Sequence, residues 1–147
     1  MTALMLEGVK VVELGQNLAG PFAGEILADL GATVVKVEKP DGGDDARRWG
    51  APVSADASAA FHAMNRNKLS VVLDLSRAED RRKLDGLLAD SDILVHNLRP
   101  GVMEKMGLGP EETTARHPRL IYCDMGAFGH LGPMKNRPGY EPLMQAF

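Results

Sequence analysis

The sequence is poor in several features that mark special classes of protein. Its single cysteine, Cys123, excludes an internal disulfide framework. No apolar run approaches the roughly 20 residues that a membrane-spanning helix needs. The 17 Lys and Arg residues do not exceed the 20 Asp and Glu residues, and no basic block stands out. We therefore expect neither a membrane nor a nucleic acid as a partner.

The N-terminal residues 1–8 also lack the basic and then apolar pattern of a signal peptide. Together with the lone cysteine, this favours a reducing, cytoplasmic location. Length and composition are those of one ordinary globular domain, without internal repeats or low-complexity segments.

Five short β-branched or aliphatic segments predict β-strands. Several are apolar at nearly consecutive positions, as expected for strands covered on both faces. The segments are residues 9–14, Thr33–Glu38, residues 70–75, Ile93–His96 and residues 120–123.

Helical patterns lie between these strands. In residues 21–30, Phe22, Ile26 and Leu30 recur at steps of four, which predicts a helix with this stripe packed on the sheet and Gly31 at its end. Residues 76–79 have the form of a capping box that opens a second helix. Pro110 opens a third, shorter one, and residues 140–147 begin another.

Because strand and helix alternate, the sequence predicts an α/β fold with a Rossmann-like parallel sheet and flanking helices. Two irregular segments rich in Gly and Pro, residues 40–58 and 126–139, interrupt this alternation. Loops of that length in a domain are usually functional or mobile.

The turn after the first strand, residues 15–21, is a candidate ligand site. Pro21 and Phe22 follow its second glycine, so it is not a P-loop, and the spacing of the dinucleotide fingerprint is absent. Its amides lie at a helix N-terminus, which suits an anion or a carbonyl oxygen. A simple tight turn is the alternative.

Basic residues near strand ends are further candidates for binding a phosphorylated nucleotide. For each one alone, a solvated side chain is an equally good interpretation, but together they predict a basic rim. They are Lys39, Lys68, Arg99 and Lys105.

The other chemistry-bearing residues predict no reaction. The four histidines, at positions 62, 96, 117 and 130, lack the paired spacing of zinc ligands, so no metal site is expected. There is no nucleophile-elbow motif, and Cys123 is expected to be a small core residue. Met103 and Met106 are expected to pack on the core.

Seven segments follow one another in order along the chain: LEGVKVVEL at residues 6–14, AGPFA at 19–23, LADLGATVVKVEKP at 27–40, NRNK at 65–68, NLRPG at 97–101, MGL at 106–108 and RPGYE at 137–141. As an ordered set they resemble the CaiB–BaiF family, also called class III CoA-transferases.

The resemblance implies that the strand ends bind the adenine nucleotide of coenzyme A. CoA or acyl-CoA is then a substrate, and no permanently bound cofactor is expected. Lysine at position 39 stands where the family often has arginine, which keeps the charge but loses the planar fork for stacking. The implied contacts are Leu18, Ala19, Lys39, Leu73, Asp74, Leu75, Ser76, Asn97, Leu98, Arg99, Lys105, Arg137 and Tyr140.

The implied reaction moves CoA between an acyl-CoA and a small carboxylic acid. Its nucleophile is an aspartate, which is ionised at neutral pH and needs no base. In the family this aspartate follows the position of Phe147, so residues 1–147 are expected to be the CoA-binding N-terminal part of the large domain. The aspartate, the glycine loop and the small domain are expected to lie outside this chain. Tyr140 and Glu141 are expected in supporting roles.

Two alternatives stay open. Racemases of the family carry a histidine where this chain has Tyr140, and a phenol is a poor base at neutral pH, which favours a transferase over a racemase. A non-catalytic CoA-binding fragment is the other alternative. The resemblance also implies interlocked homodimers for longer chains, and a fragment is expected to self-associate through faces that the rest would cover.

Overall fold

Five parallel strands form one sheet in the computed structural model, which describes residues 3–146 except for the side chain of Glu141. The strands are β1 (Lys10–Glu13), β2 (Thr33–Glu38), β3 (Lys68–Val72), β4 (Ile93–His96) and β5 (Ile121–Asp124). The helices are α1 (Ala19–Asp29), α2 (Ala59–Asn65), α3 (Ala78–Ala89), α4 (Val102–Lys105), α5 (Pro110–Arg116) and α6 (Glu141–Gln145), with a 3₁₀ turn at Asp45–Arg48.

The strand order is β3-β2-β1-β4-β5, and every pair is parallel. The chain winds outward from β1 in one direction through β2 and β3, and then in the other direction through β4 and β5. The predicted Rossmann-like parallel sheet is therefore confirmed, and its direction reverses between β1 and β4.

The core has two layers because the central strands are covered on both faces. On one face, Val12 of β1 packs in a cluster with Leu84 and Leu88 of α3, which also takes up Met103 of α4. On the other face, Val11 packs with Ala28 of α1 and other small or branched residues. Neighbouring residues of β1 thus serve opposite layers, which explains its consecutive apolar positions.

The predicted packing of α1 is wrong. Leu18, Phe22, Ile26 and Leu30 form a stripe along the solvent side of this helix, with 37–51 % of each residue exposed; we call these four residues the α1 stripe. The opposite face, which meets the sheet, carries Gly20, Pro21, Gly24, Glu25 and Ala28.

The close approach of α1 to a buried carboxylate of β1 explains this reversal. A Cβ atom added to Gly24 would overlap Oε2 of Glu13. Glu13 forms buried ion pairs with Lys36 and Lys68. A large apolar face on this side of the helix would displace the carboxylate from these lysines, so the small face turns inward.

The start of α3 and the bounds of β3 differ from expectation. The capping box at residues 76–79 is wrong, since α3 begins at Ala78 without a side-chain cap, and the Ser76 hydroxyl donates instead to Asp74 Oδ1 at 2.6 Å. Helix α5 begins at Pro110 as predicted, and Gly31 follows α1 as predicted. Strand β3 covers Lys68–Val72 rather than residues 70–75.

The segment of residues 40–58 is more ordered than a surface loop. Ala46 of the 3₁₀ turn is buried with Ala57 and Phe61 in a small apolar cluster. Ser58 accepts from the Phe61 amide at 3.2 Å, which caps α2, a helix that the sequence pattern did not predict. Segment 126–139 contains neither helix nor strand, as expected. Within residues 3–146, no helix is both long and apolar enough to cross a membrane.

Candidate functional site

A cavity of about 350 Å³ opens at the carboxyl ends of the strands, where the winding direction reverses between β1 and β4. In open α/β sheets this is the place where ligands bind. Its walls come from the loops after β1, β4 and β5, from the 3₁₀ turn and from the approach to α6. The lining residues are Gln16, Asn17, Leu18, Ala19, Asp45, Trp49, Asn97, Leu98, Arg99, Pro100, Met125, Gly126, Ala127, Arg137, Pro138, Gly139 and Tyr140.

One asparagine side chain joins the two central loops. Asn97 Oδ1 accepts from the Gln16 amide at 2.8 Å, and Asn97 Nδ2 donates to the Gln16 carbonyl at 2.8 Å. Gly20 makes this contact possible, because a Cβ there would come within 2.8 Å of both Asn97 Oδ1 and the Gly15 Cα. The turn after β1 is therefore held against the end of β4 by a paired hydrogen bond.

The same turn leads directly into α1, which begins at Ala19 in the cavity wall. An α-helix carries a partial positive charge at its N-terminus, where the first amides have no partner within the helix. Arg99 and Arg137 add two guanidinium groups to the lining. This wall suits an anionic ligand such as a phosphorylated nucleotide.

A second wall contains Asp45 and Trp49. Lys39 Nζ lies 2.7 Å from Asp45 Oδ1, and Arg48 lies 3.1 Å from the same oxygen. The hydrogen bond from Lys39 holds the pKa of Asp45 below its ordinary value. Lys39 thus neutralises a carboxylate at the cavity mouth and does not itself line the cavity.

The structure brings together one group of the predicted contacts and leaves another outside. Those in the cavity lining are Leu18, Ala19, Asn97, Leu98, Arg99, Arg137 and Tyr140. Those outside it are Lys39, Leu73, Asp74, Leu75, Ser76 and Lys105. Leu73 is buried, and Leu75 packs against the core on the α3 face. All of these assignments to CoA stay predictions.

The prediction that Lys68 belongs to a basic rim is wrong. Its side chain is 2 % exposed and lies 2.7 Å from Glu13 Oε2. The ammonium group also donates to the carbonyl oxygens of Pro21 and Met64 at 2.6 and 2.7 Å. Burial lowers the pKa of Lys68, and Glu13 opposes that change. Lys68 therefore joins β1, α1 and α2 inside the protein.

Tyr140 and Glu141 lie where the chain enters α6. Tyr140 lines the cavity and is 60 % exposed. The Glu141 side chain lies outside the described residues, so its supporting role stays a prediction. Within residues 3–146, no group of three or more His, Cys, Asp and Glu side chains is placed to hold a metal ion.

The sequence did not predict several lining residues, above all Asp45 and Trp49. Gln16 lies in the glycine-bearing turn of residues 15–21, which its place after the first strand had marked as a candidate ligand site. Trp49 is the only tryptophan of the sequence, and it stands in a segment otherwise rich in small and charged residues. A lone large aromatic in such a loop is a second signal that favours a site.

Glu38 anchors the segment that carries Asp45 and Trp49. Arg47 donates to both of its carboxylate oxygens at 2.7 Å, Ser70 donates to Oε1 at 2.6 Å, and the Asp44 amide donates to Oε2 at 2.9 Å. Burial opposes ionisation of Glu38, but these hydrogen bonds outweigh it and lower its pKa to about 2.

We expect this carboxylate to make stability depend on acid pH. A depressed pKa in the folded state adds stability above the ordinary value of 4.5, and that stability is lost as the pH falls toward 2. The difference in unfolding free energy between wild type and Glu38→Gln should therefore shrink by about 2 kcal/mol from pH 6 to pH 3. Urea unfolding at both pH values measures it, and an unchanged difference would contradict the role of Glu38.

Fold and site together define an α/β protein with a cavity at the switch point of its sheet, lined by two arginines and by the start of α1. The chain belongs to CoA-transferase family III, whose sequence model matches residues 6–147. The predicted resemblance to the CaiB–BaiF family is thereby confirmed.

Among its relatives is the succinate–glutarate CoA-transferase of Agrobacterium fabrum, 42 % identical over 146 residues that cover 95 % of this chain and 36 % of that protein. Another is the succinyl-CoA:glutarate CoA-transferase of Mus musculus, 43 % identical over 141 residues, with 96 % and 32 % covered. A CAIB/BAIF family protein from Brucella suis has a solved structure that superposes with a TM-score of 0.93 at 43 % identity, covering 99 % of this chain and 39 % of that one. The chain thus spans about a third of the length of the curated relatives it matches.

Proposed function

We propose that this chain is the CoA-binding N-terminal part of a CoA-transferase, which moves CoA between an acyl-CoA and a carboxylic acid. One observation carries the proposal: the switch-point cavity gathers segments that are distant in sequence and that the family resemblance had assigned to CoA. These are Leu18 with Ala19, Asn97 to Arg99, and Arg137 with Tyr140.

The cavity wall matches the chemistry of such a ligand. The phosphates of CoA are anionic, and the N-terminus of α1, Arg99 and Arg137 all favour negative charge. CoA binds here as a substrate, which leaves with a different acyl group, rather than as a permanently held cofactor. The nucleophilic aspartate of the reaction belongs to a longer form of the protein.

Small dicarboxylic acids are the acceptor class we favour. Relatives of this chain are named for glutarate, oxalate and malate, all of which are dicarboxylates. In this proposal Tyr140 donates a hydrogen bond to the acceptor carboxylate, and Glu141 has a supporting role. A tyrosine at this position also favours transfer over racemisation, since a phenol removes an α-proton poorly at neutral pH.

Isothermal titration of the chain with CoA tests the binding proposal. We expect saturable one-to-one binding that weakens about tenfold or more in Arg99→Ala, since one charge-assisted phosphate contact is lost. Arg119→Ala is the matched control, because Arg119 is almost fully exposed and precedes the amino end of β5, whereas the cavity lies at the carboxyl ends of the strands. Absence of CoA binding by the wild-type chain would overturn the proposal.

Isotope exchange in a longer protein that contains this sequence distinguishes a transferase from the alternative, a racemase. A transferase exchanges labelled free acid with acyl-CoA and leaves the α-carbon of the acyl group untouched. Solvent deuterium at that carbon without exchange of CoA would favour a racemase.

The longer protein is further proposed to be a cytoplasmic, interlocked homodimer, as the family resemblance implies.

We expect the isolated chain to self-associate through the α1 stripe. Its residues recur every fourth position, which is the ridge that helices use to pack on one another. Burial of the Ile26 side chain would stabilise such a contact by about 1.5–3 kcal/mol. Replacing Ile26 with glutamine removes this stabilisation and should weaken association at least tenfold.

Sedimentation velocity over a concentration series measures this association. Leu131→Gln is the control, because Leu131 is the most exposed large apolar residue of the described chain and belongs to segment 126–139 rather than to α1. A wild-type chain that stays monomeric throughout, or an Ile26→Gln variant that associates as strongly as wild type, would exclude the stripe as the contact.

A further inference from the structure

Four charged side chains are buried in a row beneath one wall of the cavity. In spatial order they are Asp44, Lys36, Glu13 and Lys68, and we call them the buried charge chain. Each side chain is at most 2 % exposed. Lys36 Nζ lies 2.9 Å from Asp44 Oδ2 and 2.8 Å from Glu13 Oε1, and Lys68 Nζ lies 2.7 Å from Glu13 Oε2.

Because positive and negative side chains alternate, the buried charge chain is neutral, with two cations and two anions. Neutrality does not explain its presence, because removing four charges from water is costly and apolar residues of similar volume stabilise a core as well or better. Buried ionic groups are retained in some proteins because they fix one geometry. The backbone contacts of the buried charge chain show what it holds in place.

The end of the buried charge chain formed by Asp44 and Lys36 holds the turn after β1. Lys36 Nζ donates to the Gly15 carbonyl at 2.9 Å, and Asp44 Oδ1 accepts from the Asn17 amide at 3.0 Å. Asn17 has a φ of 65°, in the left-handed region, which costs energy for a residue with a side chain. The hydrogen bond to Asp44 offsets that cost and fixes the direction of the turn.

The same carboxylate also holds the second wall, which Asp45 and Trp49 form. Asp44 Oδ1 accepts from the Ala46 amide at 2.9 Å, which caps the 3₁₀ turn. Asp45 lies within that turn and Trp49 directly follows it, and both line the cavity, whereas Asp44 does not. Asp44 is thus the joint between the wall formed by residues 16–19 and the wall formed by Asp45 and Trp49.

We propose that Asp44, held by Lys36, is a positioning residue that sets the spacing of the two walls of the CoA site. The inference rests on the proposed function only for the identity of the ligand. Asp44 acts through the backbone of Asn17 and the start of the 3₁₀ turn rather than by touching CoA. Its charge is needed because one oxygen accepts two amides while the other faces an ammonium group.

Asp44→Asn is the direct test, since it preserves size while placing amide hydrogens opposite either Lys36 or the two backbone N–H groups. We expect CoA affinity in isothermal titration to fall about 10- to 100-fold. Amide resonances of both Asn17 and Ala46 should shift in ¹H–¹⁵N spectra, while those of β4 and β5 stay in place. Asp41→Asn, which removes the same charge from an exposed position nearby, should leave both readouts unchanged.

A second comparison separates positioning from stability. Leu88 of α3 is buried in the core and does not line the cavity, so Leu88→Ala lowers the melting temperature by loss of core packing. It should bind CoA as wild type does. Equal loss of affinity in Leu88→Ala, or wild-type affinity in Asp44→Asn, would overturn the proposal.

The wild-type protein supplies a readout that needs neither a folded variant nor a ligand. If Asp44 joins the walls, the Asn17 and Ala46 amides are both protected from hydrogen exchange. Exchange of the Asn17 amide at the rate of an open loop would overturn the proposal. If the wild-type chain binds no CoA, the proposed function fails, while the exchange and chemical-shift results still decide whether Asp44 positions the walls.

Discussion

Replacing Glu13 with leucine is expected to lower the free energy of unfolding by about 3–5 kcal/mol, because it leaves two buried lysines without their shared carboxylate. Lys36 would keep Asp44 as a partner, whereas Lys68 would keep only neutral oxygens. Urea unfolding at neutral pH measures the loss. Glu7→Leu, at an exposed position just before β1, should change stability by less than about 0.5 kcal/mol.

The pH dependence of the Glu13→Leu variant gives an independent check. Burial already lowers the pKa of Lys68, and loss of Glu13 removes the interaction that opposes this. The unfolded chain then binds more protons than the folded one below the ordinary lysine pKa of 10.5. Stability of the variant should therefore rise with pH through the alkaline range. A loss no larger than that of Glu7→Leu, with no such rise, would mean that the buried ion pair contributes nothing.

Replacing Asn97 with alanine is expected to weaken CoA binding by about 10- to 100-fold and to cost about 1–3 kcal/mol of stability. The change removes both hydrogen bonds that hold Gln16 across the reversal point of the sheet. The turn after β1 would then lose its contact with the end of β4, and the N-terminus of α1 would lose its fixed direction toward the cavity.

Isothermal titration and urea unfolding together measure the Asn97→Ala effect. Asn136→Ala is the matched control, because Asn136 is exposed in segment 126–139 and does not line the switch-point cavity. Wild-type affinity in Asn97→Ala would show that the clamp on Gln16 does not organise the site.

The sheet could be predicted because its signal is local. Strands β2 and β4 were predicted with the bounds they have, since each is a short run of branched residues between turn-forming ones. Helix α2 was missed because residues 59–65 have no clear apolar period. Its start depends on the Ser58 hydroxyl, whose second contact is the carbonyl oxygen of the distant Ala46.

The errors about Lys68 and about the packing of α1 share one physical cause, which is pairing between residues far apart in the sequence. Glu13 finds Lys36 and Lys68 on neighbouring strands, and no local pattern distinguishes such buried charges from solvated ones. Once the carboxylate lies under α1, the helix must present Gly24 to it, and the stripe of Phe22, Ile26 and Leu30 turns outward. Apolar periodicity predicted the helix but not the direction of its apolar face.

Only part of the candidate site could be predicted from the sequence, because the rest depends on contacts between residues far apart in the sequence. The turn after β1 and Arg99 after β4 were predicted because the carboxyl ends of parallel strands share an edge, whereas Asn97 and Leu98 were implied by the family resemblance. The wall formed by Asp45 and Trp49 depends on Asp44 and Glu38 folding residues 40–58 back toward the sheet. That return is set by tertiary hydrogen bonds, which a linear pattern does not reveal.

The position of the one tryptophan makes the cavity optically visible. Trp49 lines the proposed CoA site and is partly exposed, so its indole emission should respond to adenine, to thioesters and to movement of its wall. The sequence contains no second indole to mask that signal. Occupancy of the cleft can therefore be followed by intrinsic fluorescence, without a label and at protein concentrations too low for calorimetry.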